Sequence, residues 1–239
     1  RRSPMHYRHR LLHPKESAPL VLGRAAHCAV LEPERFDRDC AVWTRRTESG
    51  NQAPRNGKAW DAFRLEAGAR TILTATEHDD ALAMQQAIRS NPDAMQLLGT
   101  GDPEVTLQWS IGGMACKGRV DWLTRFEDRP ALVGLKSARD CRERQFGRQA
   151  AALGYHLQWS FYLDAFKTIT GGEHARVFEI VVESEAPHAS VVYEVPDEVL
   201  QQGFEEYSEL LERLAECERS NYWPGPAPGI QTLALPSWV

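Results

Sequence analysis

Two residues with chemistry in them stand where apolar strands are expected. Asp121 closes Gly118-Arg119-Val120-Asp121, and Lys136 interrupts Ala131-Leu132-Val133-Gly134-Leu135-Lys136-Ser137. Hydrolysis of a phosphodiester needs an activated water, a Lewis acid on the phosphate and a stabiliser for the leaving oxygen. A divalent cation held by hard oxygen ligands supplies most of this, and carboxylates are the natural ligands. An ammonium within an apolar strand is costly unless it faces a polar cleft, a metal-bound water or a phosphate. The plainer alternative is a lysine just past the strand end, whose stem carries its charge to solvent. One expected part is absent. Two residues before Lys136, where a second carboxylate would complete the ligand set, the chain has Gly134.

Further residues could join this pair. Glu104 precedes the first strand and could add a carboxylate. His27 lies on an apolar helix face, where it reads either as a core histidine or as a ligand. Tyr155, Gln158 and Tyr162 recur at spacings of three and four and so share one helix face. Such a stripe is ordinarily packing, but glutamine is poor core material, and a Tyr-Gln-Tyr face suits the positioning of water or phosphate. Arg119 shares a strand face with Asp121, while Arg139, Arg142, Arg144 and Arg148 follow the lysine. These arginines read as a DNA-contacting cluster or as a solvated face. The same two readings apply to Arg45, Arg46, Arg55 and Lys58.

The elements that would position these groups follow from the apolar period. Up to about residue 100 the pattern is mostly helical, with Ser3-Pro4 as N-cap and first-turn proline and Gly23–Val30 as a buried helix. Pro33 ends that helix or starts a turn. Residues 44–57 are polar and lack periodicity, so a mobile loop is expected. Helices are predicted at 58–70 and 77–90, with a short one after Asn91-Pro92. The period then changes: residues 104–126 form a hairpin turning at Gly112-Gly113, and 131–135 a buried strand. Helices at 143–151 and 153–169, strands at 175–183 and 189–195 and a helix at 197–219 complete an α/β sandwich around a mixed sheet. The stretch from Tyr222 is irregular.

Bulk properties set limits. The 239 residues, 42% hydrophobic, support a sizeable core, and one domain is expected: a helical part at 1–100, the α/β core at 101–220 and a tail at 221–239. No apolar run is long enough to span a bilayer, and the first residues lack a signal-peptide core, so a soluble, cytoplasmic protein without membrane contact is expected. Five widely spaced cysteines suggest neither zinc nor a disulfide framework. A net charge of -5 argues against a protein that coats nucleic acid, though not against a local basic channel.

Taken in order, the motifs resemble the phage-type exonucleases of the RecE (exonuclease VIII) family, within the PD-(D/E)XK nuclease superfamily. The resemblance rests on Leu22-Gly23-Arg24-Ala25-Ala26-His27 with Leu31-Glu32-Pro33, Glu104, Gly118-Arg119-Val120-Asp121 and Leu135-Lys136-Ser137. It extends through Tyr155-His156-Leu157-Gln158 with Tyr162, Tyr222-Trp223-Pro224-Gly225 and Leu235-Pro236-Ser237-Trp238. It implies the restriction-endonuclease-like core and a 5′-to-3′ exonuclease on double-stranded DNA ends. Such an enzyme uses Mg²⁺ or Mn²⁺ in a two-metal site and leaves 3′ tails for a single-strand annealing protein in recombination. A homo-oligomeric ring, trimer or tetramer, is also implied. By position, His27, Glu104 and Asp121 would hold metal, with the Leu135 carbonyl as a further donor. Lys136 would orient the attacking water or stabilise charge, and Gln158 and Tyr162 match the family's Gln-x-x-x-Tyr helix. Arg119, Arg139, Arg142, Arg148 and Tyr155 would contact DNA.

Gly134 departs from this pattern, which has Asp or Glu there. Three explanations compete: a substitution that disarms the nuclease, a natural inactive relative, or compensation by a displaced carboxylate such as Glu104 or Asp140. The first is favoured, so weakened metal binding and very low cleavage are expected. A catalytically silent DNA-binding or recombination-scaffold protein is the second reading, and a nuclease for single strands, RNA or junctions the third.

Overall fold

The structure is a computed structural model that describes residues 2–14, 17–227 and 229–234; the Leu235-Pro236-Ser237-Trp238 part of the resemblance lies outside them. The central sheet contains β3 (Asp102–Ile111), β4 (Met114–Phe126), β5 (Arg129–Ala138), β6 (Arg176–Glu183) and β7 (Ser190–Glu194), in that spatial order. Neighbours are antiparallel except β5 and β6, which run parallel. A parallel pair needs a long crossover. Here α7 (Glu143–Leu153) and α8 (Tyr155–Thr170) provide it. The β3–β4 hairpin turns at Gly112 and Gly113, both at positive φ, as a two-residue turn between Ile111 and Met114 requires.

β5 reads as an almost unbroken apolar run because both its faces are covered. On one face, Val133 and Leu135 join Ile180 and Val182 of β6. Against them pack Ala26 and Leu31 of α2 (Ala18–Leu31), Met84 and Ile88 of α5 (Ala75–Arg89) and Leu97 of α6 (Pro92–Leu98). On the other, Leu132, Val120 and Val177 meet Leu163 and Phe166 of α8 and Leu200 of α9 (Asp197–Ser220). Fully burying each such aliphatic side chain is worth about 1.5–3 kcal/mol, so this α/β/α layering is the main source of stability. Strand alternation then assigns the polar residues. Leu132, Gly134 and Lys136 share the α8 face, as do Val177 and Glu179 of β6.

The N-terminal part, expected to be mostly helical, also holds two short strands. Besides α1 (Pro4–Leu12), α3 (Pro33–Asp39) and α4 (Gly57–Ala67), it contains β1 (Cys40–Trp43) and β2 (Thr71–Thr74), paired in parallel. Four residues are too few for an alternation to register. Within the expected 44–57 loop, residues 44–56 are irregular but tied at their base: Trp43 Nε1 donates to Ala53 O at 2.9 Å, and Arg46 bridges Gln52. Ser3 caps α1 as expected, accepting from the His6 amide at 3.3 Å.

Candidate metal centre and active site

Asp121 sits in a fork. β4 pairs with β5 only from Trp122 onward, opposite Val133. Towards its N-terminal end β4 leaves β5, so Asp121 is beyond the last ladder pair. Its Oδ2 accepts the Leu135 amide at 2.8 Å and lies 3.5 Å from Lys136 Nζ. On the other side, β3 and β4 pair at Pro103↔Trp122 and Val105↔Val120, which leaves Glu104 and Asp121 between two ladder pairs without pairing to each other. Glu104 has φ 55, a left-handed conformation that costs a non-glycine residue on the order of 1 kcal/mol or more. Strain held at this place turns its carboxylate toward the fork.

The groups expected to hold metal do come together. Ligand atoms of His27, Glu104 and Asp121 all lie within 4.8 Å of one another, and His27 Nε2 donates to the Leu135 carbonyl at 2.7 Å. Trans ligands on a Mg²⁺ ion, each about 2.1 Å away, stand roughly twice that apart, so the spread suits one small divalent cation. Two carboxylates, an imidazole and a carbonyl form a mainly hard donor set that fits Mg²⁺ or Mn²⁺. To coordinate through Nε2, His27 would shift its proton to Nδ1. Burial lowers the His27 pKa below 6.5, against the raising effect of Asp121, so the ring favours the neutral form a ligand needs. Burial raises Glu104, opposed by Arg119, whose Nε lies 2.5 Å from Glu104 Oε2.

Lys136 is only 14% exposed, far less than a lysine that carries its charge out to solvent would be. It lies between Asp121 and Glu179 Oε1, at 3.5 Å from each, with the Tyr155 ring 5.4 Å away. Burial opposes its charge, but the Glu179 and Asp121 carboxylates together outweigh that and raise its pKa. On α8, Gln158 Nε2 donates to Tyr162 Oη at 3.1 Å. Both line a cavity of about 20 Å³ with Asp121, Gly134, Lys136 and Glu179, room for one water. Gly118 permits this approach, since a Cβ there would stand 2.5 Å from Tyr162 Cε1.

The arginines diverge. Arg139 and Arg148 are exposed; Arg142 forks onto Asp140, with contacts of 3.1 and 2.5 Å to Oδ2, and Arg119 is engaged by Glu104. Asp140 therefore has another partner and is not one of the three clustered ligands. Sequence reasoning missed Glu179. It is fully buried, directly opposite Gly134 in the β5–β6 register, and accepts from Trp159 Nε1. Its signal was the one that marked Lys136: a charge inside an apolar run, Val177-Phe178-Glu179-Ile180-Val181-Val182.

Comparison with known proteins places this geometry in a lineage. No curated protein matches the chain. A crystal structure from Eubacterium rectale, named a "Putative exonuclease", shares its fold: TM-score 0.64 at 14% identity, over 94% of this chain and 78% of the other. SSO0001 (TM-score 0.32, 14% identity, 86% and 82% covered) and VC1899 from Vibrio cholerae (0.27, 13%, 71% and 44%) match at scores that establish no common fold. Residues 3–236 match the PDDEXK-like domain of unknown function DUF3799, and with the forked strands, the clustered ligands and the lysine in place, the chain belongs to that family.

Proposed function

We propose that the protein is a metal-dependent nuclease acting from the ends of double-stranded DNA, of the RecE-like 5′-to-3′ type. The single observation that carries this is the cluster of His27, Glu104 and Asp121 at the strand fork, next to a buried, protonated Lys136. His27, Glu104, Asp121 and the Leu135 carbonyl would hold the divalent ion. When bound, such an ion supplies Lewis-acid polarisation of the phosphate and lowers the pKa of water. The chain's own groups do the rest. Lys136 donates to the incoming water and to the charge building on the phosphate oxygens. Gln158 and Tyr162 hold the phosphate side of the one-water cavity. The water oxygen joins phosphorus, the bond from phosphorus to the 3′ oxygen breaks, and the proton released ends on that 3′ oxygen. Exposed Arg139 and Arg148 would meet the duplex backbone. A 3′ tail left in this way is the substrate of an annealing protein, and a ring would keep the enzyme on its track; both features come with the RecE-like reading.

Digestion of linear against covalently closed duplex, with Mg²⁺ and with chelator, tests this reading. Loss of the linear form alone, abolished by Asp121→Asn, is expected. Equal attack on closed circles, single strands or RNA would replace it with a different nuclease, and silence under all conditions would favour a DNA-binding scaffold.

A further inference from the structure

Gly134 and Glu179 are register partners on adjacent parallel strands, and each explains the other. A Cβ built on Gly134 would lie 2.8 Å from the Glu179 carboxylate carbon and closer still to Oε1. Both separations are well inside contact distance, so the Glu179 head occupies the space into which a side chain at position 134 would extend. We propose that Glu179, reaching across from β6, supplies the carboxylate that Gly134 lacks, and that this site is complete rather than disarmed. The inference rests on the nuclease reading and assigns that site a residue outside its expected sequence pattern.

Three observations support it. A carboxylate with no exposure, set among valines and isoleucines, carries a desolvation cost of several kcal/mol that an apolar residue would avoid. Its partners are those of an active-site group: Trp159 Nε1 fixes Oε2, while Oε1 has no hydrogen-bond partner and lies 3.5 Å from Lys136 Nζ. Both residues line the one-water cavity together with Asp121, Gln158 and Tyr162. Oε1 is thus placed to accept from the water that Lys136 orients. The alternatives are otherwise committed, Glu104 to Arg119 and the ligand cluster, Asp140 to Arg142.

The test moves the carboxylate back. Four proteins are compared: the unaltered chain, Glu179→Gln, Glu179→Ala, and Gly134→Asp combined with Glu179→Ala. Digestion of linear duplex is measured with Mg²⁺, and Mn²⁺ affinity is measured by calorimetry without DNA. The unaltered chain should digest DNA. Glu179→Gln and Glu179→Ala should lose about 100-fold in rate and roughly 10-fold or more in Mn²⁺ affinity, the scale for a displaced catalytic group and for a residue supporting a metal site. The combined variant should recover both to within about tenfold, which a merely structural glutamate would not allow. Glu179→Gln with unaltered rate and affinity would overturn the assignment while leaving the nuclease reading intact. So would an inert unaltered chain beside an active combined variant. Silence in all four would remove both.

Discussion

Substituting Gly118 by alanine separates a steric requirement of the site from ordinary strand chemistry. Gly118 is buried within β4, and a Cβ there would stand 2.5, 2.9 and 3.4 Å from Tyr162 Cε1, Cδ1 and Cζ. Carbon contacts settle at about 3.5–4.0 Å, so the ring would have to retreat by roughly 1 Å. Glycine to alanine in an unobstructed strand should stabilise by about 0.5–1 kcal/mol, whereas overpacking of this kind costs about 1–3 kcal/mol. The close contact wins, and a net loss of about 1–2 kcal/mol is expected in urea unfolding. The retreat would also pull Tyr162 Oη from its 3.1 Å bond with Gln158 and lower cleavage by about 100-fold, the scale of a 1 Å misplacement. A double-mutant cycle with Tyr162→Ala isolates the cause: removing the ring should abolish the penalty and leave the ordinary gain, giving a coupling of about 1–3 kcal/mol. Stabilisation by Gly118→Ala with Tyr162 present, or strict additivity in the cycle, would refute the reasoning.

Gly203→Ala should be costlier. Its Cβ would run into the His156 carbonyl and Ser160 Oγ of α8, and because backbone cannot rotate aside, a loss at the upper end of about 1–3 kcal/mol is expected by thermal unfolding. His27 gives a pH dependence of definite sign. With its folded pKa held below the ordinary 6.5, the unfolded chain takes up its proton first as pH falls, so stability drops below about pH 6.5. The corresponding His27→Gln protein should lack this component of the acid-side loss; an unchanged component would contradict the burial of a neutral ring. Replacing Arg139 and Arg148 together with alanine should weaken duplex binding and flatten its salt dependence, measured by fluorescence anisotropy at several ionic strengths. Unchanged binding would move the DNA path elsewhere.

How far the sequence was legible follows from the range over which each signal acts. Asp121 and Lys136 were readable because each breaks an apolar strand whose period was already plain, and the turn at Gly112-Gly113 fixed the hairpin whose second strand carries Asp121. The faces of β5 and the Gln158–Tyr162 stripe followed from alternation and helical spacing. Glu179 was not readable in relation to Gly134. Its relevance depends on the parallel register of β5 and β6, which is set by a two-helix crossover and leaves no trace in local spacing. A displaced carboxylate such as Glu104 or Asp140 could be named from the sequence, whereas a candidate on β6 becomes visible only with that register. The inward turn of Glu104 depends on a left-handed backbone at a residue type that seldom adopts it. The β1–β2 pair escaped because its strands are short and far apart in the chain.

Leu135 contributes almost nothing through its identity and a great deal through its peptide units. Its amide holds Asp121 at 2.8 Å, its carbonyl meets His27 at 2.7 Å and Lys136 Nζ at 3.3 Å, and its side chain is sealed in the core at 2% exposure. A scan that trims side chains one by one would record only a packing defect at this position. Exchanging the amide for an ester, which deletes the donor to Asp121 while leaving the isobutyl group untouched, would expose what the residue does. The fork is thus wired through main chain, where genetic variation has little purchase.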